Sequence, residues 1–179
     1  MFKRIRSVLT LVALILGASN VFAQLPGPLG YTPQPAAAAP PGYQPVYRLA
    51  GAALPDHLFS TDANEAMRVA ATGNYRYEGV GFYVLGQQYR GSVPLYRVFT
   101  AAGRHVLATD TAAATARGDR VEGVIGYVDP GPRSGTVALR AWFNPANGDY
   151  LYTTDPDGEW APRLGMQFRG IVGYVAPAA

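Results

Sequence analysis

The chain has 179 residues, no cysteine and a formal net charge of +3, so disulfides and thiolate metal sites are excluded. Glycine (21), proline (15) and tyrosine (12) are abundant, a composition that suits short strands joined by many turns. Three of the 15 basic residues and none of the 12 acidic ones lie in the first 23 residues. The remainder therefore carries 12 of each and lacks the charge that would favour a nucleic-acid partner.

The first 23 residues predict an export signal peptide. Basic Lys3, Arg4 and Arg6 precede an apolar run at residues 8–16, and the small residues that follow suit a signal peptidase. The apolar run is shorter than the roughly 20 residues that a membrane-spanning helix needs. We therefore expect cleavage after Ala23, a secreted or periplasmic location and no stable membrane insertion afterwards. An uncleaved anchor is the alternative.

Residues 24–44 are predicted to be a Pro/Ala-rich linker. Their six prolines and the absence of a periodic apolar face indicate an extended spacer. The residues that follow repeat themselves: segment 77–84 returns at 121–128 and again at 168–175. Periodicity of this size indicates several copies of one supersecondary unit, here at about 45–93, 94–136 and 137–179.

Each copy is predicted to open with a hairpin. Alternating β-branched and aromatic residues indicate half-buried strands, and Asn147-Gly148 is a strong hairpin signal in the third copy. The first strands are predicted at 45–49, 94–99 and 138–143, and the second at 56–62, 104–110 and 149–155.

A connector and a closing strand complete each copy. Asp62 followed by Glu65 is a capping-box pattern that predicts a helix as far as Ala71. A similar turn is predicted at 111–117 and a loop in the third copy, which has prolines there. The glycine inside each closing strand predicts a bulge or a close approach of backbones.

These elements predict an all-β fold with one or two short helices and three pseudo-equivalent lobes. We expect a β-trefoil-like barrel, because closure removes exposed strand edges. A propeller normally takes at least four blades, which argues against that fold for three copies. An extended β-solenoid is the remaining alternative.

Three spaced motifs recur with this unit and have the form P-x-Y-R, H-F-Y-T-T and Y-E-G followed by Y-V. The third copy departs from them, since Tyr150 replaces the histidine and Arg169 the glutamate. From Pro45 to Val175 the chain resembles a family of secreted bacterial repeat domains of unknown function. The resemblance implies a β-trefoil-like or lectin-like domain that binds rather than catalyses, and it names no ligand. The repeat-signature positions are Arg48, His57, Glu78, Arg97, His105 and Glu122.

The signature residues are predicted to be structural. His57 and His105 occupy equivalent positions, so threefold separation places them in different lobes, and we expect each to bond within its own lobe. Glu78 and Glu122 are predicted to pair with Arg48 and Arg97. In the third copy the acid and the arginine are lost together, as Arg169 and Ala141. A pair of glycosidase carboxylates is the alternative interpretation.

We predict no catalytic residue, no metal and no cofactor. Neither Ser92 nor Ser134 lies in a nucleophile elbow, and no phosphate-loop or dinucleotide glycine pattern is present. The alternating acids Asp155, Asp157 and Glu159 do not have the spacing of a helix-loop-helix calcium site.

The third copy is the best candidate for a ligand site. Aromatic faces beside a few polar groups are typical of small-ligand sites and suit a sugar. The alternative is that Trp142 and Tyr152 belong to the core and that Asn147-Gly148 is only a turn. The candidate residues are Trp142, Asn144, Asn147, Asp149, Tyr150, Tyr152 and Trp160.

Together these observations predict an exported, non-catalytic and monomeric binding module for carbohydrate or cell-envelope components. A structural or inhibitor-like domain that binds a secreted protein is the first alternative. A small secreted hydrolase that uses Glu78, Glu122 or the histidines is the second.

Overall fold

The computed structural model describes residues 38–178, which contain nine strands, two α-helices and one 3-10 helix. The predicted signal peptide and residues 24–37 of the predicted linker lie outside the described residues. The first strand begins at Tyr43, two residues before its predicted start at Pro45, and so includes the last two residues of the predicted linker. Within residues 38–178, no helix is long and apolar enough to cross a membrane.

Each repeat forms one lobe, a three-stranded antiparallel sheet with the opening strand at its centre. The predicted hairpins are therefore present. Lobe one contains β1 (Tyr43–Gly51), β2 (His57–Ser60), α1 (Ala63–Ala71) and β3 (Tyr75–Leu85). Lobe two contains β4 (Val93–Phe99), β5 (His105–Ala108), α2 (Ala112–Ala116) and β6 (Arg120–Val128). Lobe three contains β7 (Val137–Phe143), β8 (Tyr150–Thr153), the 3-10 helix (Ala161–Leu164) and β9 (Gln167–Pro177).

An aspartate begins every connector in the same way. Asp62 accepts a hydrogen bond from the Asn64 amide at 2.8 Å, and Asp110 and Asp155 accept equivalent bonds from the amides two residues later. The predicted helix after Asp62 is thus confirmed as α1. Its capping box is not formed, because the Asp62 amide donates to Ser60 Oγ at 3.0 Å instead of to Glu65.

The closing strands join the lobes around a pseudo-threefold axis. Leu85 pairs with Tyr127, Asp129 with Tyr174, and Ala176 with Tyr83. These three pairings occupy equivalent positions of the repeats. Because β9 returns to β3, the lobes do not extend as a solenoid.

The all-β fold with a few short helices is confirmed, but the trefoil-like barrel is not. The outer strands β2, β5 and β8 each pair on one side only within the described residues, so the sheet stays open at these edges. The physical reason is that each connector folds as a helix or turn and leaves no fourth strand to cover the edge.

The inner faces of the three sheets share one core. Equivalent residues from each lobe meet there, such as Val84, Val128 and Val175, all of which are buried. Smaller clusters cover the outer faces: α1 packs on Leu49 and Leu58 of lobe one, and the 3-10 helix packs near Leu151 of lobe three.

The recurring glycines serve two different purposes. Gly79, Gly123 and Gly170 have φ of 103°, 142° and 129°, and beyond the adjacent residues of the chain no atom lies within 4 Å of where a Cβ would be. Their strands shift register there, so the preceding residue (Glu78, Glu122 or Arg169) is the extra residue of a bulge. By contrast, a Cβ on Gly126 would lie 2.3 Å from Val84 Cγ2 of the neighbouring lobe. The predicted bulge and the predicted close approach are therefore both present, but at different glycines of the closing strands.

Candidate functional site

The predicted arginine–glutamate pairs are confirmed in lobes one and two. Arg48 Nε lies 3.0 Å from Glu78 Oε2, and Arg97 Nε lies 2.8 Å from Glu122 Oε2. The bulge explains the pairing, because the extra residue brings its carboxylate to the arginine on the central strand.

Each arginine also binds a glutamate of the neighbouring lobe, which the sequence analysis missed. Arg97 forms two bonds of 2.8 Å with Glu65 of lobe one, and Arg48 bonds Glu159 of lobe three at 2.7 and 3.0 Å. Paired parallel bonds of this kind are the strong form of the interaction. The repeat does not reveal that Glu65 and Glu159 are equivalent. Glu65 lies three residues after its capping aspartate, whereas Glu159 lies four residues after Asp155.

These contacts keep both glutamates ionised. Arg97 lowers the pKa of Glu65 to about 2, and the Ser60 hydroxyl also donates to that carboxylate. Burial raises the pKa of Glu159, but hydrogen bonds from Arg48 and from the Thr153 hydroxyl (2.6 Å) outweigh it, so the pKa is lowered. Groups with such low pKa values are poor general acids near neutral pH.

The two histidines bond across lobes, so the expectation that each bonds within its own lobe is wrong. His105 Nδ1 lies 2.6 Å from Asp56 of lobe one, and His57 Nδ1 lies 2.9 Å from Asp149 of lobe three. Both aspartates immediately precede an outer strand, which places them at the lobe junctions. Burial raises the pKa of Asp56, but hydrogen bonds from His105 and from the Tyr75 hydroxyl outweigh it and lower the pKa.

An aspartate–histidine pair can orient a general base, but it needs a nucleophile on the second ring nitrogen. His105 Nε2 faces Glu122 at 3.6 Å. His57 Nε2 is buried and has no hydrogen-bond partner among the described residues, and its ring stacks on Trp160 with 5.8 Å between centroids. Across residues 38–178, no group of three or more His, Asp or Glu side chains is arranged to hold a metal ion.

Several of the predicted ligand residues in lobe three have internal roles. The Tyr152 hydroxyl bonds the backbone of Leu107 in the core, and buried Asp149 holds His57. Asn147 accepts from the Asp149 amide, while Asn144 bonds the Ala146 amide and the Leu164 carbonyl. These contacts agree with the alternative to a ligand site, in which Tyr152 belongs to the core and Asn147-Gly148 is a turn. The Tyr150 ring stacks on Tyr152 with 6.1 Å between centroids and makes a tilted contact with Phe143 at 4.8 Å.

The outer face of lobe three exposes apolar side chains beside Trp142. Phe168 is 51% exposed and its ring lies 5.6 Å from that of Trp142, while Ile171 and Leu164 are 49% and 60% exposed. None of these three residues was predicted from the sequence as a site residue, although Phe168 and Ile171 flank the third bulge. We call Trp142, Leu164, Phe168 and Ile171 the third-lobe apolar face. In lobe one the equivalent Tyr77 packs in the cluster beneath α1.

A family model described as a domain of unknown function (DUF5648) matches residues 24–129. The chain belongs to this family. The expected resemblance to a domain of unknown function is thereby confirmed, at the level of the family and not of the repeat motifs. No curated protein and no solved structure matches the chain.

The DUF5648 match ends at Asp129, one residue after β6. It therefore includes the two lobes with complete arginine–glutamate pairs, and the third-lobe apolar face lies beyond it. Lobe three is also where the signature residues are replaced.

Proposed function

We propose that this DUF5648 chain is an exported, non-catalytic module that binds carbohydrate or cell-envelope components through the third-lobe apolar face. The observation that carries the proposal is the exposed Phe168 ring beside Trp142. The two rings are tilted by 59°, so Phe168 offers one exposed aromatic face beside the half-buried Trp142. Aromatic faces of this kind are common anchors of small-ligand sites.

The acidic side chains are engaged in bonds to arginines and histidines, which supports a non-catalytic role. Glu78 and Glu122, the pair that a glycosidase would need, are each bonded to an arginine and lie in different lobes. Both histidines are buried in aspartate pairs at lobe junctions. The predicted signal peptide supports export to a compartment where envelope glycans are available. The threefold arrangement of the lobes supports the interpretation of the domain as lectin-like and β-trefoil-like.

A protein ligand is the second candidate. Leu164 and Ile171 are further exposed apolar side chains of lobe three, and several exposed apolar groups suit a protein as well as a sugar. This candidate predicts capture of a secreted protein and no glycan binding.

Glycan-array and peptidoglycan pull-down assays of the exported chain test the proposal. We expect Phe168→Ala to weaken glycan binding about tenfold, which corresponds to an aromatic contact of about 1.4 kcal/mol. Val121→Ala changes the equivalent exposed position of lobe two and should leave binding unchanged. Absence of binding to every sugar and envelope fraction would contradict the proposal.

A further inference from the structure

Two of the three lobe junctions are filled by an arginine and a glutamate. A cleft of about 180 Å³ between lobes one and two is lined by Ser60, Glu65, Arg97 and Glu122, among others. Arg97 crosses this cleft to Glu65. At the junction of lobes three and one, Arg48 reaches Glu159 in the same way.

The junction between lobes two and three lacks every one of these side chains. Ala141 lies opposite Gly170 as Arg97 lies opposite Gly123, so alanine occupies the position of the arginine. Ala108 and Ala113 occupy the positions of Ser60 and Glu65, and Arg169 occupies that of Glu122. The four positions carry a formal charge of −1 at the junction of lobes one and two and +1 at the junction of lobes two and three. At the second junction, three of the four side chains are only a methyl group.

Arg169 is a cation with no acidic partner among the described residues. Its guanidinium lies 4.8 Å above the Phe143 ring, as Arg120 lies 5.1 Å above Phe99. Arg120, however, also bonds Glu122 at 2.8 Å. Arg169 is exposed, so its planar set of donors is available to an external carboxylate.

We propose that the junction between lobes two and three binds the carboxylate of an acidic sugar, with Arg169 as its anchor. The ligand carboxylate takes the role that Glu122 has in lobe two. Ala113 is exposed and Ala108 is half-buried, so the outer part of the junction is accessible to the sugar ring, while Ala141 is buried in the core. This inference rests on the proposed carbohydrate-binding function and defines its ligand class.

The edge of β9 connects this junction to the third-lobe apolar face. At Phe168 and Arg169, β9 lies beside β7, and it pairs with β3 only at Ala176 and Pro177. The strand edge beside Arg169 is therefore open. A polysaccharide that crosses this edge contacts Phe168 with one residue and Arg169 with the next, which favours an acidic glycan over an acidic peptide.

Polygalacturonate and its methyl ester are matched probes, since they differ only in the free carboxylate. We expect the exported chain to bind the acid at least tenfold more tightly than the ester. Arg169→Gln should remove this preference, and Arg169→Lys should retain part of it. Arg163→Gln, an exposed arginine in the same lobe, should have no effect.

The outcomes separate this inference from the function on which it rests. If neutral glycans bind through Phe168 and Arg169→Gln binds both polymers as the wild type does, the inference is wrong and the function stands. If no glycan binds, both are wrong. If an acidic peptide binds through Arg169 and neither polymer does, the sugar assignment is overturned.

A rebuilt junction gives an independent test. Ala141→Arg combined with Arg169→Glu restores the pair found in lobes one and two, and the folded double variant should lose binding to polygalacturonate. Unchanged binding in this variant would count against the junction as the site. If the double variant does not fold, Arg169→Gln decides alone, because Arg169 lies at the surface.

Discussion

The Glu-Gly dipeptide of lobes one and two encodes a backbone feature and an ion pair together. Glycine permits the positive φ of the bulge, and the bulge turns the preceding glutamate towards the arginine of the central strand. Replacing either residue therefore affects both the strand and the junction.

Gly123 and Gly126 need to be glycine for different reasons, the first for its backbone conformation and the second also for close packing. Their φ values are 142° and 145°, but only Gly126 has a neighbour, Val84, within contact of a Cβ. We expect Gly123→Ala to cost about 1–2 kcal/mol of unfolding free energy from backbone strain. Gly126→Ala should cost about 1–3 kcal/mol more, from overpacking. Urea denaturation measures both, and equal losses would contradict the close approach at Gly126.

The bond between Arg97 and Glu65 should couple lobes one and two. Their side chains are 13% and 28% exposed, between a surface pair and a buried one, so each alanine variant should lose about 2 kcal/mol. The two losses should not add, with a coupling energy above about 0.5 kcal/mol in a double-mutant cycle. Arg163→Ala is the surface control. Additive losses would show that the pair does not stabilise the junction.

At the scale of elements, acidic groups beside the outer strands and connectors make the lobe junctions sensitive to acid. Glu65 has a pKa of about 2 in the folded chain and 4.5 as a free side chain, and the pKa values of Glu159 and Asp56 are also lowered. A lowered pKa stabilises the fold above the unfolded value, and this stability is lost as pH falls towards the folded value.

We therefore predict that the unfolding free energy is steady near neutral pH and decreases from about pH 4.5 towards pH 2. Glu65→Gln should be less stable at pH 7 and should show a shallower decrease, because it lacks one of the titrating groups. Chemical denaturation at a series of pH values tests this. An equally steep decrease in the variant would show that Glu65 does not contribute.

Local patterns predicted the elements well, because each pattern has a local cause. The alternating segments became strands, Asp62 began α1, and the closing glycines became bulges and close contacts. Contacts between lobes were not predictable in the same way. The partner of His105 lies 49 residues away, and nothing near His105 in the sequence indicates Asp56.

At the scale of the whole molecule, the three lobes depend on a common core. Leu139, Ala141, Tyr152 and Val175 of lobe three are buried with the residues of the other two lobes, and β9 pairs with β3. The family match ends before lobe three, at Asp129.

We predict that a chain ending at Asp129 does not form a stable native core. Its apolar inner faces lose four buried partners, and β3 loses its pairing with β9. The truncated chain should show poorly dispersed amide NMR signals and no cooperative thermal transition, unlike the full chain. A cooperative transition with dispersed signals would show that two lobes suffice.

The threefold character of the fold was predictable from the repeats, but its open edges and the exposed third-lobe apolar face were not. Whether three copies close as a barrel depends on how the connectors fold, and these vary most between copies. The exposure of Phe168 likewise depends on how little of the sheet the short 3-10 helix covers.

Both tryptophans of the chain, Trp142 and Trp160, lie in lobe three, so intrinsic tryptophan fluorescence reports on this lobe and on the contact of Trp160 with His57 of lobe one. The most direct measurement of the central claim is a fluorescence titration of the chain without its predicted signal peptide, using soluble envelope glycans. We predict a saturable change in emission that Phe168→Ala weakens and Val121→Ala does not. Glycan binding measured by calorimetry without any change in tryptophan emission would contradict a site in lobe three.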